Sequence, residues 1–124
     1  MELKNKALFK ESCFVGGKWI DSDSGEKIKV DNPANNEIIG EVPKCSTSET
    51  TKAIKEAQDA FPNWRDKTAK ERSIILQKWA RLIEQNVDDL ARIMTLEQGK
   101  PLAEAKGEIL MGVTYIDFYA EEGK

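Results

Sequence analysis

The chain has 124 residues, 40% of them hydrophobic and 33% charged, with a formal net charge of −3 and no histidine. No apolar run approaches the ~18 residues that cross a bilayer, and residues 1–10 lack the apolar block of a signal peptide, so no membrane association and a cytoplasmic location are expected. The acidic balance, with Lys and Glu interspersed, argues against a nucleic-acid surface, and the missing histidine removes Ser-His and Cys-His dyads and every His-bearing zinc site.

The pattern divides the chain into a strand and hairpin region, residues 1–45, and a helical region, residues 46–124. Cys13-Phe14-Val15 and Lys18-Trp19-Ile20 flank Gly16-Gly17, a two-residue hairpin signal. Ser22-Asp23-Ser24-Gly25 reads as a turn. A short strand, Ile28-Lys29-Val30, stops at Asp31-Asn32-Pro33. Asn35-Asn36 turns the chain into a strand over residues 38–42, which Pro43 ends. Strands this short hold no core of their own and are expected to lean on something else.

Four helices follow. Ser46-Thr47-Ser48-Glu49 is a capping box opening a helix with the stripe Ala53, Ile54, Ala57, Ala60 and Phe61, limited by Pro62. Thr68-Ala69-Lys70-Glu71 is a second capping box, and Ile75, Trp79, Leu82 and Ile83 form the stripe after it. Asn86 starts a short helix carrying Leu90, Ile93, Met94 and Glu97, closed by Gly99 in a left-handed cap. Pro101 suits the first turn of the last helix, whose stripe is Leu102, Ala105, Ile109, Val113, Ile116 and Tyr119. The fold expected is mostly α, about four amphipathic helices plus short N-terminal antiparallel strands.

Reactive chemistry is sparse. A phosphate cradle needs a glycine turn feeding a helix N-terminus, whereas Gly16-Gly17 feeds a strand. Gly99-Lys100 resembles the end of a phosphate-binding loop, but Met94 and Pro101 stand where that loop needs Gly and Ser or Thr. Glu84, Asp88, Asp89, Glu104 and Glu108 fall on polar helix faces. Glu97 lies on an apolar side, and if buried it would need a cation, an arginine or backbone donors. Trp19, Trp64, Trp79, Phe61 and Tyr115 read as core or interface anchors. Cys13 and Cys45, 32 residues apart, read as two unpaired thiols, one buried beside Phe14.

The specific signal is the ordered series of local patterns. Phe14-Val15-Gly16-Gly17-Lys18-Trp19 comes first, then Asn32-Pro33-Ala34-Asn35 and Ile38-Ile39-Gly40-Glu41-Val42-Pro43. Ala57-Gln58-Asp59-Ala60-Phe61-Pro62-Asn63-Trp64 and Ala69-Lys70-Glu71-Arg72 follow. Last comes the run from Leu96 through Glu97-Gln98-Gly99-Lys100-Pro101-Leu102-Ala103-Glu104-Ala105 to Glu108. In this order the series resembles the N-terminal region of the NAD(P)-dependent aldehyde dehydrogenase superfamily, closest to its succinate-semialdehyde dehydrogenase branch.

The resemblance implies an α/β parent of several hundred residues, an oxidoreductase turning an aldehyde into its acid with NAD or NADP, and a homo-oligomer. The helical region would pack on the parent's cofactor-binding domain. In that family a cysteine thiolate attacks the aldehyde, hydride passes to NAD(P)+, and a glutamate-activated water releases the acid. The motifs for these roles lie downstream of residue 124, and neither Cys13 nor Cys45 matches the nucleophile motif. The chain alone is therefore expected to be inactive, without tightly bound NAD(P), and to seek the remainder of the enzyme or a second copy as partner. The resemblance also implies that Glu97, with backbone carbonyls near Val30 and Asp31, holds a monovalent cation. Met111 and Tyr115 would line the substrate entrance, although Leu110-Met111-Gly112-Val113-Thr114 departs from the branch there. A stand-alone helical interaction module and another branch of the family are the alternatives.

Overall fold

The computed structural model describes residues 2–124. They form two compact units: residues 9–66, and residues 67–124 together with the N-terminal segment up to Leu8. The first helix thus groups with the strands.

In the unit of residues 9–66, β1 (Cys13–Val15) and β2 (Lys18–Ile20) form the expected antiparallel hairpin, pairing Phe14 with Trp19. Gly16 and Gly17 both have positive φ, at 58° and 76°, the backbone that a two-residue hairpin turn demands. The paired rings lie 5.2 Å apart, and the Lys10 ammonium sits 4.8 Å over Trp19. The Ser22–Gly25 turn closes through a hydrogen bond from the Gly25 amide to the Ser22 carbonyl. It leads into β3 (Lys27–Asp31), antiparallel to β4 (Ile38–Pro43), with a slip in register between Val30 and Asp31. Gly40 is required by space: a Cβ there would lie 2.7 Å from Cζ of Phe9.

Helix α1 (Thr47–Arg65) starts on the predicted capping box at Ser46. Pro62 does not limit it, and the helix runs through the proline to Arg65. The ring removes only the bond to the carbonyl of Gln58, and Gln58 is an exposed residue. The predicted stripe is also largely uncovered, with Ile54 66% and Phe61 50% exposed.

The other unit holds α2 (Ala69–Gln85), α3 (Val87–Gln98) and α4 (Leu102–Glu122). Thr68 caps α2 through the predicted box, and Gly99 ends α3 at φ 81° in the left-handed region. Helix α4 packs against both α2 and α3, which touch each other little. Their shared core is built of small residues: Ala80, Ala91, Ala105, Val113 and Ala120. Ile75, Trp79 and Leu82, read from the sequence as the packed stripe of α2, are exposed; Ser73 and Ala80 are buried instead. The predicted stripe of α4 holds at Ala105, Ile109, Val113 and Ile116, but Leu102 and Tyr119 are exposed and Ala120 is buried. Periodicity marks a helix's apolar positions; when apolar residues surround most of the helix, it does not say which flank a neighbour covers.

The N-terminal segment is held against α3. Asp89, the third residue of that helix, is buried and not on the solvated face expected of it, because it accepts hydrogen bonds from the Lys4 amide at 3.0 Å and the Asn5 amide at 2.8 Å. The Asn5 bond, followed by the Lys4 bond and the cations of Arg92 and Lys4, holds its carboxyl below the usual range against the opposing effect of burial. Among the described residues no helix is long and apolar enough to cross a membrane.

Candidate functional site

Met111 and Tyr115 stand one turn apart on α4, which places them on the same side of the helix. That side faces away from buried Val113 and Ala120, and the two residues are 58% and 59% exposed. They border a groove of about 400 Å³ whose other walls include Ile83, Met94, Ile109 and Gly112. Gly112 carries no side chain to fill it. Glu108 stands at the rim, ion-paired with Lys100; that bond keeps the Lys100 ammonium pKa above its usual value. Phe118 and Tyr119, edge to face at 5.3 Å, extend the apolar surface along α4. The groove offers apolar contact and one aromatic hydroxyl. Its lining is mainly apolar, a surface that can orient an aliphatic group.

A second cleft is walled by the charged side chains Lys4, Asp88, Arg92 and Lys106 together with the apolar Ala91 and Leu102. Three cations there face one carboxylate: Asp88 accepts from Lys106 at 2.7 Å and lies 4.0 Å from Lys4, while Arg92 donates to the Glu2 carbonyl at 2.8 Å. The Lys106 hydrogen bond holds the Asp88 carboxyl below its usual range.

Glu97 is exposed, two residues before Gly99, so the partner it would have needed if buried is not called for. Helix α3 turns this position to solvent because the covered side carries Ala91. Val30 and Asp31, named with Glu97 from the sequence, belong to the other unit, where the β3–β4 register slips. Among the described residues no three His, Cys, Asp or Glu side chains gather as a metal site.

The glycine turns do not fit a dinucleotide. The Gly16-Gly17 turn leads into β2 and Gly99 ends a helix, whereas a pyrophosphate is cradled where a turn feeds a helix N-terminus. The aromatic residues read as anchors are surface residues: Trp19, Trp79, Phe61 and Tyr115 are each at least half exposed, and Trp64 is half-buried. That removes the core half of the reading and leaves the interface half.

Within the unit of residues 9–66, sequence reasoning missed two features. Glu49, read only as part of a cap, also accepts a hydrogen bond from the Asp23 amide at 2.7 Å, tying the 22–25 turn to the start of α1. Cys13 and Cys45 are the unpaired thiols expected, but neither is buried (Cys13 is half-buried and Cys45 exposed), and their sulfurs lie 3.9 Å apart. Both are contacts between residues more than 25 positions apart, for which a single sequence carries no signal.

Residues 19–124 match the aldehyde dehydrogenase family profile. The chain is 54% identical over its whole length to a glutarate-semialdehyde dehydrogenase of Pseudomonas putida. It is 52% identical to a succinate-semialdehyde dehydrogenase of Escherichia coli whose name carries NADP(+). In each case it spans 26% of the relative. A solved E. coli structure described as an NADP dependent enzyme superposes with a TM-score of 0.98 at 51% identity, over 99% of this chain and 26% of that one.

Proposed function

The chain belongs to the aldehyde dehydrogenase family, and on that premise we propose that it is the N-terminal part of a cytoplasmic, homo-oligomeric enzyme that oxidises succinate semialdehyde to its acid with NAD(P)+. One observation in the fold carries the reading of a part within a larger whole. Among the described residues, sixteen large hydrophobic side chains are 37% exposed or more, while the buried hydrophobic core is four alanines and a valine. A surface of that kind calls for a cover. Helix α4, apolar around most of its circumference, is the kind of helix that globular proteins bury on every side. In this reading the 46–124 region packs on the cofactor-binding domain of the whole enzyme, and the nicotinamide cofactor is held by residues outside this chain.

Within that enzyme we assign Met111 and Tyr115 to the wall of the substrate entrance and Glu97 to a structural monovalent cation. The shared groove supports the first assignment; the exposure of Glu97 leaves its carboxylate free to meet an ion. The glutarate-semialdehyde relative favours a second reading of the substrate, one methylene longer. Such a difference is worth only ~10–200-fold in specificity, so both substrates are assayed together.

The test is aldehyde-dependent formation of NAD(P)H. The purified 124-residue chain is expected to show none, and the whole enzyme is expected to turn over succinate semialdehyde. Turnover by the chain alone would overturn the reading. In the whole enzyme, Tyr115→Ala is expected to raise KM about tenfold with kcat within about threefold, the mark of a binding contact rather than a chemical one. An unchanged KM would remove Tyr115 from the entrance.

A further inference from the structure

We propose that Cys13 and Cys45 are a redox-active thiol pair, in which Cys45 meets a low-molecular-weight disulfide and Cys13 resolves the adduct, linking β1 to the entrance of α1.

The geometry is particular. Cys13 opens β1 and is fixed by its antiparallel pairing with Ile20. Cys45 lies between the end of β4 and Ser46, the cap of α1. The fold brings these two sulfurs, 32 residues apart, to 3.9 Å. A disulfide requires about 2.05 Å, so closure needs the sulfurs to approach by roughly two ångströms. Side-chain rotation can supply that, because Cys45 is exposed and outside regular structure. The two thiols differ in access: Cys45 is open to solvent, whereas Cys13 is half-buried. An external reagent therefore meets Cys45 first.

The exchange proceeds in two displacements. The Cys45 thiolate attacks one sulfur of the small disulfide RS–SR; a Cys45–S–S–R bond forms and one RS− leaves. The Cys13 thiolate then attacks Sγ of Cys45; the Cys13–Cys45 bond forms and the second RS− leaves. The thiol pair loses two electrons, which the small disulfide gains, and the two thiol protons end on the released thiols.

The surroundings set the pace. Desolvation, the Cys13 hydrogen bond and the charges of Glu49 and Asp23 push the Cys45 thiol up. The nearby Lys44 ammonium lies 3.8 Å from the Glu26 carboxylate, which offsets its charge. Exchange is thus slow at neutral pH and accelerates as pH rises, a brake suited to a link that forms under sustained oxidation rather than to a rapid sensor.

The test is non-reducing peptide mapping of the purified protein after treatment with oxidised glutathione. Tryptic cleavage releases Cys13 in residues 11–18 and Cys45 in residues 45–52. The expected product is those two peptides joined, lighter by two hydrogens than their sum and separated by dithiothreitol. In Cys13→Ser the glutathione adduct is expected to stay on Cys45 at least about tenfold longer than in the unaltered protein, because the neighbouring thiolate that removes it is gone. Cys13→Ala repeats this without a hydroxyl and, with a circular-dichroism spectrum matching the parent, excludes misfolding. Independent stable adducts on both cysteines, or an adduct lifetime on Cys45 unchanged by loss of Cys13, would overturn the proposal.

Discussion

Replacing Ala80 with leucine is expected to lower the unfolding free energy of the helical unit by about 1–3 kcal/mol, the usual cost of forcing extra methylenes into a filled space. Ala80 is 0% exposed, on the side of α2 that meets α4. Helix α4 presents Ala105, Val113 and Ala120 as its own buried residues. Helices that meet through such small side chains leave no room for a branched one, and relief requires the axes to separate. Trp79→Ala is the informative control. Were Trp79 in the core, as its place in the apolar stripe suggests, truncation would cost about 3–5 kcal/mol. It is 55% exposed in this chain, and a cost of about 1 kcal/mol or less is expected. Urea denaturation of the purified variants, followed by circular dichroism, measures both. A larger loss for Trp79→Ala than for Ala80→Leu would mean that α2 packs through its other flank.

Replacing Glu49 with alanine is expected to release both the first turn of α1 and the turn before β3. Amide exchange should quicken on the order of 10- to 100-fold at Ser46 and Asp23. The Glu49 carboxylate is 5% exposed and accepts from the Ser46 amide at 2.9 Å, the Ser46 and Ser48 hydroxyls and the Asp23 amide. The Ser46 side-chain bond, followed by the backbone bonds, holds its carboxyl far below the ordinary value of 4.5. A carboxylate whose folded pKa is depressed contributes stability that is complete above its unfolded pKa and is lost as pH falls through the folded one. The Glu49 contribution should therefore be flat from pH 7 to about 5, begin to fall near 4.5, and still be partly present in strong acid. Glu49→Gln should lack this dependence, because its side chain does not ionise. Hydrogen exchange across pH 2–7 on both proteins separates them; identical profiles would remove Glu49 from the acid response.

The expectations that hold rest on local chemistry. Gly16-Gly17 makes a hairpin because two consecutive positive φ angles cost glycine nothing. The boxes at Ser46 and Thr68 start helices because each hydroxyl reaches an amide two or three residues ahead, and the glutamates at 49 and 71 reach back. Gly99 ends a helix through its own backbone angle. The series of motifs from Phe14 to Glu108 carried the family resemblance for a related reason: short stretches at fixed spacing are read without knowing what they touch.

The failures have one physical origin. Pro62 looked like a stop because proline removes a donor, yet the oxygen it leaves unbonded lies at an exposed residue. Ile75, Trp79, Leu82 and Tyr119 looked like core because their spacing is helical, but spacing does not name the neighbour.

By itself the sequence determined the element types, their caps and turns and the family series, since each depends on residues within a few positions of one another. Only the tertiary structure decided which flank of each helix is covered, that four alanines and a valine form the buried apolar core, and that Cys13 lies beside Cys45. Those are contacts between segments distant along the chain, fixed by how far each side chain reaches and by what stands opposite it in space.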